Sequence, residues 1–210
     1  MALNRADLRL YLITDRQLCA ARGLVETVQR AVAGGVTMVQ LRDKQARTTE
    51  RVTLARALLA ELNGVPLIVN DDVEAAIAAG AHGAHIGQGD GDVAEARARL
   101  GPDRILGLSC ETLAHVQAAN ALPVDYLGLG PVFVTPTKPD HTPPIGLAGL
   151  ARMVAATDIP TVAIGGLNAT LVAPMLATGT DGLAVVSAIC GQPDPQGAAA
   201  QFFPANGASR

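Results

Sequence analysis

Cationic, hydroxyl and carboxylate side chains in this 210-residue chain cluster just after short apolar runs. Residues 125–138 show the pattern most fully: the run from Tyr126 to Leu129 leads into Gly130 and Pro131, then into Thr135, Pro136, Thr137 and Lys138. Glycine lets a ligand approach the backbone closely, the hydroxyls donate, and the lysine supplies one mobile cation, which together make a grip for phosphate. Gln40, Arg42 and Lys44 follow another run at every second position. In extended chain they project to one side. Two cations and an amide on one side suit a diphosphate, and the alternative is a solvated charge pair with Asp43. Asp71 and Asp90 close two further runs. Beside a diphosphate they suit magnesium, which takes one or two carboxylates together with phosphate oxygens and water. Otherwise they are salt-bridge partners of Arg42, Lys44 and Lys138. Gly165-Gly166 ahead of Asn168, together with Ser187, would cup a second anionic group.

Such residues can meet only if the elements that carry them end on one face. Apolar runs of strand length occupy 8–13, 38–41, 66–69, 83–86, 105–108, 126–129, 161–164 and 182–186. Between them lie Ala- and Leu-rich segments of helical period at 24–34, 48–62, 72–80, 92–100, 111–121, 147–156 and 168–178, with a last one near 194–203. Thr48-Thr49 before Glu50 opens the second, Gly34-Gly35 closes the first, and Asn168 is placed to cap the seventh. Strands that are continuously apolar imply a parallel sheet covered on both faces. Eight units in this length favour an α/β architecture of one domain, a (β/α)8 TIM barrel over 1–203, with 204–210 as a frayed tail. All the strand-end residues then share one rim. The longest loop, 130–146, lies there too, where lids are common.

Composition narrows the partners. A net charge of −3, no basic run, and two Tyr, three Phe and no Trp leave little for nucleic acid to bind. No stretch reaches the ~20 apolar residues of a membrane span, and Arg5, Asp7 and Arg9 stand where a signal peptide needs an apolar core, so a cytoplasmic protein is expected. Cys19, Cys110 and Cys190 are far apart and unpaired in motif, which suggests buried thiols rather than a zinc site or a disulfide framework. Cys110 follows a strand, but no His or Asn is placed to make it a nucleophile. His82, His85 and His115 read as structural, and His141 lies in the long loop with nothing to orient it.

Taken in order, the blocks from Leu10 to Asp15, Gln40 to Lys44, Asn70-Asp71, His85 to Asp90, Gly107 to Ser109, Gly130 to Lys138 and Gly165-Gly166 closely resemble those of the thiamine phosphate synthase family. The likeness runs from Leu10 to Ile189, with Gly89 and Val134 as small departures. It implies a transferase that joins 4-amino-5-hydroxymethyl-2-methylpyrimidine diphosphate to a thiazole phosphate, or its carboxylated form, giving thiamine phosphate and pyrophosphate. The implied diphosphate site comprises Gln40, Leu41, Arg42, Asp43, Lys44, Asn70, Ser109 and Lys138, with Asp71 and Asp90 on magnesium. The implied thiazole phosphate site comprises Thr135, Pro136, Thr137, Gly166, Val186 and Ser187. Catalytic weight would fall on Arg42, Lys44, Lys138 and Ser109.

The family's dissociative reaction suits these residues. An aromatic nitrogen lone pair needs no general base, and the charge to be stabilised is that of the departing diphosphate. Closure of 130–146 would keep water from the pyrimidine-methyl cation. Two rivals remain on the sequence. One is a thiazole tautomerase-like isomerase, in which the resemblance places a histidine where this chain has Pro131. The other is a non-catalytic barrel that binds thiamine phosphate. The expected partners are small molecules, with a homodimer possible.

Overall fold

The computed structural model of the protein describes residues 2–135 and 143–204. The chain alternates strand and helix eight times: β1 (Leu10–Ile13), α1 (Leu24–Ala33), β2 (Met38–Leu41), α2 (Thr48–Glu61), β3 (Leu67–Asn70), α3 (Val73–Ala79), β4 (Gly83–Ile86), α4 (Val93–Leu100), β5 (Ile105–Cys110), α5 (Leu113–Ala119), β6 (Tyr126–Leu129), α6 (Gly146–Val154), β7 (Thr161–Ile164), α7 (Val172–Leu176), β8 (Gly182–Val185) and α8 (Pro195–Ala200). The strands pair in sequence order, all parallel, and β8 returns to β1 with Tyr11 opposite Ala184, closing the barrel. This is a single-domain (β/α)8 TIM barrel, as expected.

Alternation along each strand builds two cores. Outward residues such as Leu10, Leu12, Val39, Leu41, Leu67 and Val69 pack beneath the helices. Inward residues Tyr11, Met38, Ile68, Ile105, Tyr126 and Val162 fill the barrel interior. Because both faces are covered, the strands read as unbroken apolar runs. The alternation also carries the inward side continuing toward the strand ends onto Gln40, Asn70, His85 and Ser109. The site is therefore the polar top layer of the barrel filling.

β1 begins two residues later than the apolar run predicts. Arg5–Leu8 instead forms a 3-10 helix, capped where Asn4 Oδ1 accepts from the Ala6 N–H at 3.0 Å and Asp7 Oδ2 accepts from the Asn4 N–H at 2.9 Å. Its last residue, Leu8, is fully buried and packs into the interior cluster with Tyr11 and Met38. The second helix starts where its sequence predicts, with Glu50 accepting from the Arg47 N–H at 2.8 Å. Asp72, Asp92 and Thr112 cap α3, α4 and α5 through the N–H groups of Ala75, Glu95 and His115. The seventh helix differs from expectation. Asn168 caps a 3-10 turn, Ala169–Leu171, and α7 follows it with five residues.

All three cysteines are buried, as expected, and the Cys19 and Cys190 thiols touch across the loops that follow β1 and β8. Among the described residues, no helix is long and apolar enough to cross a membrane.

Candidate active site

A cavity of ≈ 680 Å³ opens at the C-terminal ends of the strands. Gln40, Arg42, Lys44, Asn70, Asp71 and Asp90 line one side, with Ser109 beside them. Thr135, Gly166, Val186 and Ser187 line the other. The structure thus gathers eleven of the residues singled out in the sequence around one space. Leu41 and Asp43 point elsewhere, as their parity requires. Leu41 packs in the outer core, and Asp43 pairs with Arg16 at 3.1 Å while accepting from the N–H groups of Gln45 and Ala46. Asp43 shapes the loop that presents Lys44. Pro136, Thr137, Lys138 and His141 lie outside the described residues.

Two adjacent aspartates end up in different roles. Asp72 is consumed by the fold, capping α3 and pairing with Arg51 at 2.9 Å. Asp71 sits in the left-handed region at φ 61°, a conformation that aspartate adopts more readily than most residues. That turn directs its carboxyl into the cavity against Asp90. Partial burial, followed by the hydrogen-bonded and like-charged Asp90, pushes Asp71 up to about 6, while Lys44 and Arg42 pull it the other way. Asp90 is oriented by the Gly87 N–H at 2.7 Å. Two facing carboxylates that resist ionising together are suited to a divalent cation, which would relieve their repulsion. Among the described residues no group of three or more His, Cys, Asp or Glu forms a complete cage. The donor set therefore fits magnesium completed by phosphate oxygens and water.

The opposite side is built from backbone. Gly165 and Gly166 have φ values of 102° and 66°, which favour glycine over other residues. A side chain on Gly165 would strike Pro131, and one on Gly166 would strike the Val134 carbonyl and Phe133. The loop after β6 can lie so close because Val132 N–H donates to Ile164 O at 2.8 Å and Phe133 N–H to Gly165 O at 3.1 Å. Ile145 and Gly146 donate back to Pro131 and Val132, so both described ends of that loop are pinned together. α7, with five residues, is too short for a helix dipole to add much on this side.

His85 and His115, which the sequence suggests are structural, line the cavity, and so do Gln88 and Glu111. His85 touches both Tyr126 and Ser109. His115 and Glu111 also face the cavity, and His115 Nδ1 accepts from the Glu111 N–H at 3.3 Å. Gln88 donates to the Ser109 carbonyl at 2.6 Å, tying β4's loop to the end of β5. The alternation that placed Gln40 and Ser109 inward also predicts His85 inward.

Fold and site together define a (β/α)8 enzyme with a cationic and carboxylate wall facing a glycine-rich backbone wall. The chain belongs to the thiamine monophosphate synthase family, whose model matches residues 10–189. It is 52% identical over 190 residues to a thiamine-phosphate synthase of Azorhizobium caulinodans, covering 90% of each chain. A solved thiamine phosphate pyrophosphorylase from Pyrococcus furiosus superposes with a TM-score of 0.86 at 36% identity, covering 94% of this chain and 95% of that one. A 3-hexulose-6-phosphate synthase, at 16% identity, TM-score 0.70 and coverage of 92% and 97%, shares the fold alone.

Proposed function

We propose that this chain condenses 4-amino-5-hydroxymethyl-2-methylpyrimidine diphosphate with a thiazole phosphate to give thiamine phosphate and pyrophosphate. The observation that carries this reading is the Asp71–Asp90 carboxyl pair set beside Arg42 and Lys44 on one wall of the cavity. A monophosphate alone would give little use to paired carboxylates among cations. A diphosphate with magnesium uses all four.

Arg42 and Lys44 neutralise charge that grows on the leaving diphosphate, and they do so from fixed positions after β2. Asp71 and Asp90 would hold the magnesium, which as a Lewis acid would share that charge when bound. Asn70 and Ser109 reach the same side, and Gln40 faces the heterocycle from below. Thr135, Gly166, Val186 and Ser187 hold the second substrate's phosphate through hydroxyl and backbone donors. Thr137 and Lys138, with Pro136 between Thr135 and Thr137, belong to the same reading from the sequence. No side chain needs to remove a proton, because the acceptor's ring nitrogen attacks with its own lone pair. The C–O bond to the diphosphate breaks as the C–N bond to the thiazole nitrogen forms, and pyrophosphate leaves with the bonding electrons. We place the reaction in the cytoplasm.

The test is acceptor dependence. With magnesium and both substrates the protein should release pyrophosphate, and omission of the thiazole phosphate should stop release. Steady pyrophosphate release without acceptor would make the protein a hydrolase, and no release in either case would exclude the transferase.

A further inference from the structure

Five polar side chains from five strands form one continuous hydrogen-bonded chain through the barrel. Gln40 Nε2 donates to the Tyr11 hydroxyl at 2.7 Å. The Tyr11 and Tyr126 hydroxyls are 2.8 Å apart, Tyr126 lies 2.9 Å from His85 Nδ1, and His85 Nε2 lies 2.9 Å from Ser109 Oγ. Tyr11, Tyr126, Gln40 and His85 are 1%, 0%, 2% and 7% exposed, and Gln40, His85 and Ser109 line the cavity. Gly107 makes room for it, since a side chain there would run into both the Tyr126 ring and His85 Nδ1.

Counting protons fixes the direction of the chain. Each hydroxyl has one, and a neutral imidazole has one. A protonated imidazole would donate at both nitrogens and leave one tyrosine hydroxyl proton without an acceptor, so His85 fits this chain as the neutral ring. Since Gln40 donates to Tyr11, the Tyr11 proton finds its acceptor in Tyr126, among the described residues. The Tyr126 proton then goes to His85 Nδ1, the imidazole proton sits on Nε2 and is donated to Ser109, and the Ser109 proton is left for a ligand. Reversing the bonds without turning Gln40 would strand the Tyr11 proton in the interior, unpaired. The ends are therefore coupled. With Nε2 given to Tyr11, Gln40 is left to accept through Oε1, and Ser109 is left to donate.

We propose that Tyr11, Tyr126 and His85 are positioning residues that make the site selective for an amino-substituted nitrogen heterocycle, by holding Gln40 as acceptor and Ser109 as donor at once. This rests on the reading of the cavity as a pyrimidine diphosphate site. A 4-aminopyrimidine edge offers an amino donor beside a ring-nitrogen acceptor and matches that polarity. Its 4-oxo counterpart offers an acceptor beside a ring N–H, and fits only if Gln40 turns over and every proton in the chain shifts with it.

Nitrogen-15 NMR of the His85 ring reads the chain without any substrate. Wild-type protein should show the Nε2–H tautomer. Gln40→Glu, whose carboxylate can only accept from Tyr11, should drive His85 to the Nδ1–H tautomer, and Tyr126→Phe should break that link. An Nδ1–H tautomer in the wild type, or a tautomer unmoved in folded Gln40→Glu, overturns the proposal. Should Gln40→Glu fail to fold, the wild-type tautomer still decides, together with calorimetry in magnesium. There the wild type should prefer the 4-amino over the 4-oxo pyrimidine diphosphate, and Tyr126→Phe or Tyr11→Phe should cut that preference at least about tenfold. An undiminished preference in both folded variants overturns the inference and leaves the function intact. Expected tautomers in a protein that binds neither ring would instead overturn the pyrimidine reading, and with it the selectivity.

Discussion

At the scale of single residues, Asp71 is the position where chemistry and folding part company. Asp72 beside it is tied to α3 and Arg51, whereas Asp71 is held against Asp90 in a conformation with positive φ. Asp71→Asn should therefore abolish most turnover without lowering the thermal transition, and a collapse of the transition would mark a structural role instead. The metal-free protein should also show the strain of the pair as a pH effect. Asp71 titrates near 6 in the fold and near ~3.9 unfolded, so the folded state binds the extra proton between these values. Its contribution to stability is complete below ~4 and is lost as pH rises through about 6. Magnesium should consequently raise the melting temperature more at pH 7.5 than at pH 5, as read by thermal shift. Equal shifts at both pH values would contradict the assignment of the pair as ligands. Polar residues that follow apolar runs, such as Arg42, Lys44 and Asp71, were visible in the sequence for that reason. Tyr11 and Tyr126 were not, because an aromatic residue inside a strand pattern reads as core until its hydroxyl is seen to have a partner.

At the scale of elements, the strands act as rulers and the glycines as clearances. The inward positions of β5 are Ile105, Gly107 and Ser109, and the middle one must be empty for His85 and Tyr126 to meet. Gly107→Ala should cost about 1–3 kcal/mol by overpacking, measured by urea unfolding, and should weaken pyrimidine diphosphate binding as well. A variant as stable and as tight-binding as the wild type would show the interior to be looser than described. Four strands, β2, β4, β6 and β7, have the bounds that their apolar runs predict. The ends of β1 and α7 do not. Leu8 has the hydropathy of a strand residue but turns inward in a 3-10 helix, and Asn168 has the chemistry of a helix cap but caps a single 3-10 turn. Local propensity cannot distinguish these cases, because the deciding contacts come from residues far away in sequence, such as Met38 and Tyr126 around Leu8.

At the scale of the whole molecule, barrel closure turns separate strand ends into one site. β2, β3 and β4 bring the cations and carboxylates, β5 brings Ser109, and the loops after β6, β7 and β8 bring the opposite wall. That convergence was legible from eight repeats of strand and helix, since a closed parallel barrel has only one C-terminal rim. Leu41 and Asp43 show the limit of reading by blocks. A run of neighbouring residues resembles a motif as a unit, yet alternate side chains of it face opposite ways. The central claim is that the two walls hold two substrates across a bond being exchanged. It is tested most directly by single-turnover mixing, with enzyme in excess over the pyrimidine diphosphate, magnesium present and thiazole phosphate saturating. One thiamine phosphate should form for each pyrophosphate released. Pyrophosphate accompanied by the free pyrimidine alcohol and no thiamine phosphate would contradict it.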